Sequence, residues 1–172
     1  MRLHKCIFLD RDGVLNKERG DYTFKVDDFE IISGVSLAIR ILKESGYLLI
    51  VITNQAGIAK RIYEEQDVLN CHAYFQAQTG GLIDDLFFCP HHPITTQSLL
   101  RKPDSLMLEK AISKWAVDPD KSFMIGDSLR DIQAAEKVGL KGILVGDKEE
   151  RLKVTTPKAE NLLDAVNKFI VN

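Results

Sequence analysis

Residues 47–52 read YLLIVI, and the polar turn Thr53-Asn54-Gln55-Ala56-Gly57 follows at once. Six apolar residues in a row, partly β-branched and then broken by a turn, describe a strand buried on both faces of a parallel sheet. The same pattern recurs along the chain. Lys5–Leu9 (KCIFL) stops at Asp10, Leu86–Cys89 (LFFC) precedes a proline-rich loop, Ser122–Ile125 (SFMI) stops at Gly126-Asp127, and Gly142–Val145 (GILV) makes a fifth strand. Helical spacing fills the intervals. Ser33-Gly34 opens a helix with Val35, Ala38, Ile41 and Leu42 on one face, closed by Gly46. Glu64–Gln78 is read with Val68, Leu69, His72 and Phe75 inward. Asp104 or Ser105 caps a helix carrying Leu108, Ala111, Ile112 and Trp115. Another covers roughly residues 130–138 and stops at Gly139. The last one presents Leu162, Leu163, Val166, Phe169 and Ile170. Alternation of strand and helix predicts an α/β fold, a three-layer α/β/α sandwich around a Rossmann-like, parallel, five-stranded sheet.

Composition narrows the function classes. A chain of 172 residues, with no repeat and no interdomain linker, reads as one domain over 1–172. It has 23 Lys and Arg against 25 Asp and Glu, a net charge of −2, with 45% hydrophobic and 28% charged residues. That balance argues against a nucleic-acid partner bound through its phosphates, but it leaves room for one small anion. No apolar run approaches a membrane span, and the N-terminal one is cut at Asp10, too soon for a signal peptide. Cys6, Cys71 and Cys89 are odd in number and Cys6 lies in an apolar run, so free thiols in a reducing cytoplasm are expected. Lys60-Arg61 and Lys148–Lys153 read as solvated charge.

The chemically interesting residues follow strands. Asp10, Arg11 and Asp12 follow the first, Thr53 and Asn54 the second, and Asp127 the fourth. In open α/β sheets ligands bind beyond the carboxyl ends of the strands, where strand order reverses, so a central first strand would bring these turns together. Taken singly, Asp10 would be a strand-end residue and Asp127 a helix cap. Together, two carboxylates at a low-dielectric rim stay ionised by sharing a cation, and an all-oxygen set selects Mg²⁺. Thr53 and Asn54 offer a hydroxyl, an amide and backbone N–H groups for phosphate oxygens. Lys102, after the proline-rich loop, supplies a point charge for a transferring phosphoryl group.

These stretches carry a resemblance. IFL with DRDGVLN at 10–16, VITNQAGIAKR at 51–61, RKP at 101–103 and GDSLRD at 126–131 resemble, in order, the four motifs of the haloacid dehalogenase superfamily of phosphatases. The likeness spans residues 5–145. DRDGVLN with TNQAGIA and CPHHP is similar to one branch, which holds heptose 1,7-bisphosphate phosphatases and histidinol-phosphate phosphatases. The resemblance implies a Mg²⁺-dependent phosphomonoester hydrolase acting on a small phosphate ester. Asp10 would be the nucleophile that forms an aspartyl-phosphate, and Asp12 the general acid and base. The metal would sit on Asp10, the Asp12 carbonyl and Asp127. Asp131 would support water or Lys102, while Arg11, Thr53, Asn54, Arg101 and Lys102 would face substrate. Heptose 1,7-bisphosphate cleaved at the 7-phosphate is the expected substrate, with histidinol phosphate or another small sugar phosphate as alternatives. A non-catalytic phosphosugar-binding protein is a further alternative, disfavoured because both Asp10 and Asp12 are present.

The sequence also departs from that branch. Its zinc loop pairs Cys-x-His with a later Cys-x-Cys, whereas here only Cys89-Pro90-His91 is present and residues 98–100 read SLL. Two ligands do not close a tetrahedral site, so zinc is not expected and Cys89 with His91 reads as a remnant. After RKP the chain has Asp104-Ser105-Leu106-Met107 in place of x-Pro-Gly-Met, at a loop bordering the substrate pocket. Arg101 suits a second anionic group on the substrate or is simply a rim charge. Only 40 residues separate Asp12 from Thr53 and 48 separate Thr53 from Lys102, leaving no room for an inserted cap. An open site is expected, with selectivity from loops 16–30 and 90–103. A monomer or small homo-oligomer fits such a capless chain.

Overall fold

The computed structural model describes residues 3–147 and 155–171. Six strands form one parallel sheet: β1 (Cys6–Leu9), β2 (Leu48–Asn54), β3 (Asp85–Cys89), β4 (Phe123–Gly126), β5 (Lys141–Val145) and β6 (Lys158–Ala159). Their order is β3-β2-β1-β4-β5-β6. The chain therefore starts in the middle, builds outward through β2 and β3, then returns to the other side of β1 with β4. That reversal lies between β1 and β4, where Leu9 pairs with Ile125.

The expected fifth strand is not the last. β6 is a two-residue edge strand, registered with Leu144 and Val145 of β5. The polar stretch around Pro157 carries no alternating pattern, so periodicity could not reveal it. Backbone groups make it: the Leu144 N–H donates to the Pro157 carbonyl at 2.9 Å and the Gly146 N–H to that of Glu160 at 3.1 Å.

Side chains alternate across the sheet and build two cores. On one face Ile7, Leu9, Leu49, Val51 and Ile143 pack with residues of α1 (Val35–Glu44), α2 (Glu65–Thr79) and α5 (Leu162–Phe169). On the other, Cys6, Phe8, Ile50, Ile52 and Met124 pack with α3 (Leu106–Trp115) and α4 (Leu129–Glu136). Three layers result. Among the described residues no further subdomain stands over the carboxyl ends of the strands, and no helix is long and apolar enough to cross a membrane.

Several helical readings shift: in α1 Ile39 is buried where Ile41 was expected, and in α5 Phe169 is 39% exposed. In α2 the buried residues are Val68, Cys71, Phe75 and Thr79, while Leu69 is 44% exposed. This helix alternates few apolar residues with many polar ones, so two faces compete on pattern and packing against the sheet selects one. Trp115 lies at the border of its core, its indole N–H donating to Asp85 at 2.7 Å. Lys60 and Arg61 are exposed as read; the Lys148–Lys153 run lies outside the described residues.

Loop 16–30 is held down rather than free. The Lys17 N–H donates to the Glu30 carbonyl at 2.8 Å, and a 3-10 turn covers Val26–Asp28. Phe29 enters the core beside Tyr74 and Phe75. The loop's far end is thereby anchored, and its outer residues, 18–23, are left beside the strand ends. Phe8 is wholly buried on β1, the strand that carries the first aspartates. Phe8→Ala should lower the unfolding free energy by about 3–5 kcal/mol, read by urea denaturation.

Candidate active site

β1 ends at Leu9, and the next residue is tied to the strand across the reversal: the Asp10 N–H donates to the Ile125 carbonyl at 3.0 Å. β4 ends at Gly126, followed by Asp127 and the capping box of α4, in which Asp131 Oδ2 accepts from the Ser128 N–H at 3.1 Å. Asp10, Asp127 and Asp131 offer carboxylate oxygens within 4.8 Å of one another. All three are buried. Two glycines make the approach possible. A Cβ on Gly126 would lie 2.3 Å from Asp131 Oδ2, and one on Gly13, at φ +82°, would lie 2.2 Å from Asp127 Oδ2.

Lys102 reaches this cluster from the opposite loop. Its ammonium contacts Asp10 at 2.9 Å, Asp131 at 2.6 Å and the Ile52 carbonyl at 2.7 Å, and the side chain is 1% exposed. Burial alone would push this lysine down, but Asp10 and Asp131 outweigh it and the group is raised, a fixed cation. Asp10 moves the other way. Burial, reinforced by Asp131 and Asp12 and only partly offset by Lys102, lifts its carboxyl to about 6. The rise is chiefly the cost of keeping an ionised carboxylate out of water, a cost that a cation on the cluster would relieve. The all-oxygen donor set of this cluster fits a hard divalent cation such as Mg²⁺, which Asp10 and Asp127 would hold. Asp131 is engaged by Lys102 and by the helix cap, so it stands behind them.

Around Asp12 the structure assembles groups that motif spacing did not single out. Asp12 Oδ1 accepts from Arg11 Nη2 at 3.0 Å and from Asn16 Nδ2 at 2.9 Å, and Oδ2 accepts from Gln55 Nε2 at 3.2 Å. Gln55 Nε2 also donates to Thr53 Oγ1 at 2.9 Å. Asn16 and Gln55 are buried polar residues inside motif stretches, but nothing in the local pattern distinguishes them from turn residues.

Of the residues expected at the substrate, Thr53, Arg101 and Lys102 line one cavity of about 430 Å³ together with Asp10, Asp12 and Asp127. Arg11 and Asn54 line it too, but their side chains are engaged elsewhere. The Arg11 guanidinium clasps Asp12 and the Thr23 carbonyl, the latter at 2.6 Å, and so ties down loop 16–30. The Asn54 amide makes paired 3.0 Å bonds to the backbone N–H and C=O of Lys102, fixing the lysine's loop. Both help to build the site, and Arg11 Nη1 is left as a buried donor with no hydrogen-bond partner. Loop residues Glu18, Tyr22 and His92 complete the rim, with Arg130 of α4 beside Arg101. Cys89 is buried in a core, and His91 Nδ1 is 2.8 Å from Ser98 Oγ. The one group of three metal-capable side chains among the described residues is the aspartate cluster.

The chain is 38% identical over 146 residues to a D-glycero-β-D-manno-heptose-1,7-bisphosphate 7-phosphatase of Haemophilus ducreyi, covering 80% of each. The chain belongs to the haloacid dehalogenase superfamily of phosphatases. Membership makes it a phosphoric monoester hydrolase by class. A protein with the same 7-phosphatase name from Photorhabdus laumondii is 41% identical over 147 residues, covering 79% of this chain and 78% of that one. The HAD-hydrolase-like family model matches residues 99–167. The solved D,D-heptose 1,7-bisphosphate phosphatase of B. bronchiseptica, complexed with magnesium and phosphate, superposes with a TM-score of 0.87 at 30% identity, covering 95% of this chain and 96% of that one.

The raised Asp10 has a consequence for stability. Between the unfolded carboxyl at 3.8 and the folded one at about 6, the fold holds a proton that the unfolded chain has released. Stability of the metal-free protein therefore falls as pH rises through that window, by on the order of 3 kcal/mol from this group. A cation on the cluster relieves that cost only where Asp10 is ionised. Mg²⁺ should raise Tm by several degrees near pH 7.5 and by much less at about pH 5, read by thermal unfolding with and without EDTA. Equal increments at both pH values would contradict the assignment. Gly126→Ala should displace Asp131 and with it Lys102, lowering kcat/KM by at least about 100-fold, measured on any accepted phosphate ester.

Proposed function

We propose that this protein hydrolyses the 7-phosphate of D-glycero-D-manno-heptose 1,7-bisphosphate with Mg²⁺, through an aspartyl-phosphate on Asp10. The observation that carries the reading is the buried Lys102 ammonium between Asp10 and Asp131, at the sheet's reversal point, with Asp12 two residues on and Thr53 in the same cavity.

Asp10 Oδ1 is held twice, by its neighbour's backbone N–H at 2.8 Å and by Lys102 at 2.9 Å. Those contacts set the plane of the carboxylate, so its attack on phosphorus needs little reorientation. As the O–P bond to Asp10 forms, the bond to the sugar oxygen breaks, and Asp12 gives that leaving oxygen a proton. Asp12 then takes a proton from the water that attacks the aspartyl-phosphate, and inorganic phosphate leaves. Thr53 Oγ1 faces the phosphoryl oxygens during both displacements, and the Lys102 charge beside Asp10 offsets the negative charge of the transferring group. Mg²⁺ on Asp10, Asp127 and the Asp12 carbonyl would supply charge neutralisation between the anionic carboxylate and the anionic phosphate.

The distal phosphate favours this substrate over histidinol phosphate. Arg101 and Arg130 both line the cavity, and a pair of guanidiniums suits a second phosphate and repels a cationic amine. The names of the relatives above point to the same sugar. The reaction is one for the reducing cytoplasm, where Cys6, Cys71 and Cys89, all free and buried, remain thiols. Residues 1–172 act as one domain on a small soluble ester, as a monomer or small homo-oligomer.

Phosphate release should be Mg²⁺-dependent, with kcat/KM for heptose 1,7-bisphosphate at least about tenfold above that for histidinol phosphate or a sugar monophosphate. Asp10→Asn should abolish turnover. A preference for histidinol phosphate would overturn the substrate, and turnover by Asp10→Asn would overturn the mechanism.

A further inference from the structure

Gln55 is 2% exposed and spans two strands' worth of machinery with a single amide. Its Nε2 donates to Asp12 Oδ2 at 3.2 Å and to Thr53 Oγ1 at 2.9 Å. Asp12 belongs to the turn after β1, Thr53 to the end of β2, so the amide fixes the distance between the acid–base carboxylate and the phosphate-side hydroxyl. The amide's own orientation is determined. A carboxylate demands a donor, which places Nε2 toward Asp12, and the Tyr63 hydroxyl donates to Oε1 at 2.7 Å. Tyr63 in turn lies against the Gly57 backbone. Gly57 allows this closeness, since a Cβ there would lie 2.0 Å from the tyrosine ring.

Tyr63 also meets the loop that lines the substrate cavity. Its ring stacks on Phe24 at 5.2 Å, with 10° between planes, and meets the edge of Tyr22 at 5.8 Å. Tyr22 itself lines the cavity. One continuous set of contacts therefore runs from loop 16–30 through Tyr63 and Gln55 to Asp12. Arg11 closes the circuit from the other side, bonding both Asp12 and the Thr23 carbonyl.

We infer that Gln55, oriented by Tyr63, is a positioning residue that holds Asp12 for proton transfer and makes its alignment depend on the seating of loop 16–30. The inference rests on the phosphatase reading above and deepens it. Its action is on the proton-transfer partner, which gives it a signature that a merely structural role lacks. A sugar alkoxide leaves only with a proton from Asp12, whereas p-nitrophenolate, a far weaker base, leaves with little help. kcat/KM reports the first displacement alone, and kcat includes the second, where Asp12 must accept a proton from water for either ester.

The test uses full-length protein with saturating Mg²⁺, comparing wild type, Gln55→Met and Tyr63→Phe on a sugar phosphate and on p-nitrophenyl phosphate. Gln55→Met keeps the volume and removes both donors; Tyr63→Phe keeps the ring stack and removes one hydroxyl. For Gln55→Met the ratio of kcat/KM values, sugar phosphate over p-nitrophenyl phosphate, should fall at least about tenfold, while kcat falls on both esters. Tyr63→Phe should shift the ratio in the same direction by a smaller factor. Thermal unfolding of each variant accompanies the kinetics, so that loss of fold is separated from loss of alignment. An unchanged ratio in folded Gln55→Met, whether activity is retained or lost equally on both esters, overturns the inference alone. A wild type that hydrolyses neither ester overturns the phosphatase reading and this inference with it.

Discussion

A lysine ammonium buried between two aspartates at the carboxyl end of a parallel sheet organises this protein. Desolvating such a group costs several kcal/mol unless every proton finds an acceptor, and Lys102 finds Asp10, Asp131 and the Ile52 carbonyl. Each acceptor sits on a different element: the end of β1, the first turn of α4 and the interior of β2. The Asn54 amide grips the backbone of Lys102, so its position is set from the same strand that supplies one of the acceptors. The charge arrangement thus requires the strand order, and the strand order places the charges. That mutual requirement also explains why Asp10 is poised high, since one shared cation cannot offset burial and two neighbouring carboxylates.

Phosphoryl transfer places opposite demands on adjacent residues. In the proposed reaction Asp10 would be an anion at close range to an anionic phosphate, and Asp12 would alternate between giving and taking a proton. The fold separates these demands by environment. Asp10 lies against Lys102 in the buried cluster, whereas Asp12 turns toward Arg11, Asn16 and Gln55, which are hydrogen-bond donors. With no subdomain over the strand ends among the described residues, the loops carry the remaining work. Loop 16–30 is clasped by Arg11 and stacked on Tyr63, so it forms a wall of defined position beside an otherwise open cavity.

Much of this was legible in residue order, for identifiable reasons. Buried parallel strands need unbroken apolar runs, and YLLIVI and KCIFL supply them, so five of the six strands could be located within a residue or two. β6 could not, because a two-residue edge strand depends on backbone pairing and leaves no periodicity. The inward face of α2 was misread at Leu69 for a related reason: with few apolar residues, the sheet and not the helix pattern selects the face. Asp10, Asp127 and Lys102 stood out because charged residues directly after apolar runs or in a rigid proline-flanked motif are locally conspicuous. Arg11 and Asn54 were also conspicuous, but their partners were not: Thr23 and Lys102 are remote in sequence, and their distances decide that a guanidinium clasps a loop and an amide clasps a backbone.

The sequence by itself determined the alternation of elements, the strand-end position of Asp10 and Asp127 and the absence of room for a cap, because these follow from periodicity, spacing and length. Tertiary structure alone decided which groups touch. The reversal between β1 and β4 brings residues 10 and 127 within reach of one ion, and a buried Gln55 joins Asp12 to Thr53 across two strands. Hydrogen bonds and ion pairs act over about 3 Å. No one-dimensional spacing encodes so short a distance between segments that meet only after the sheet has formed.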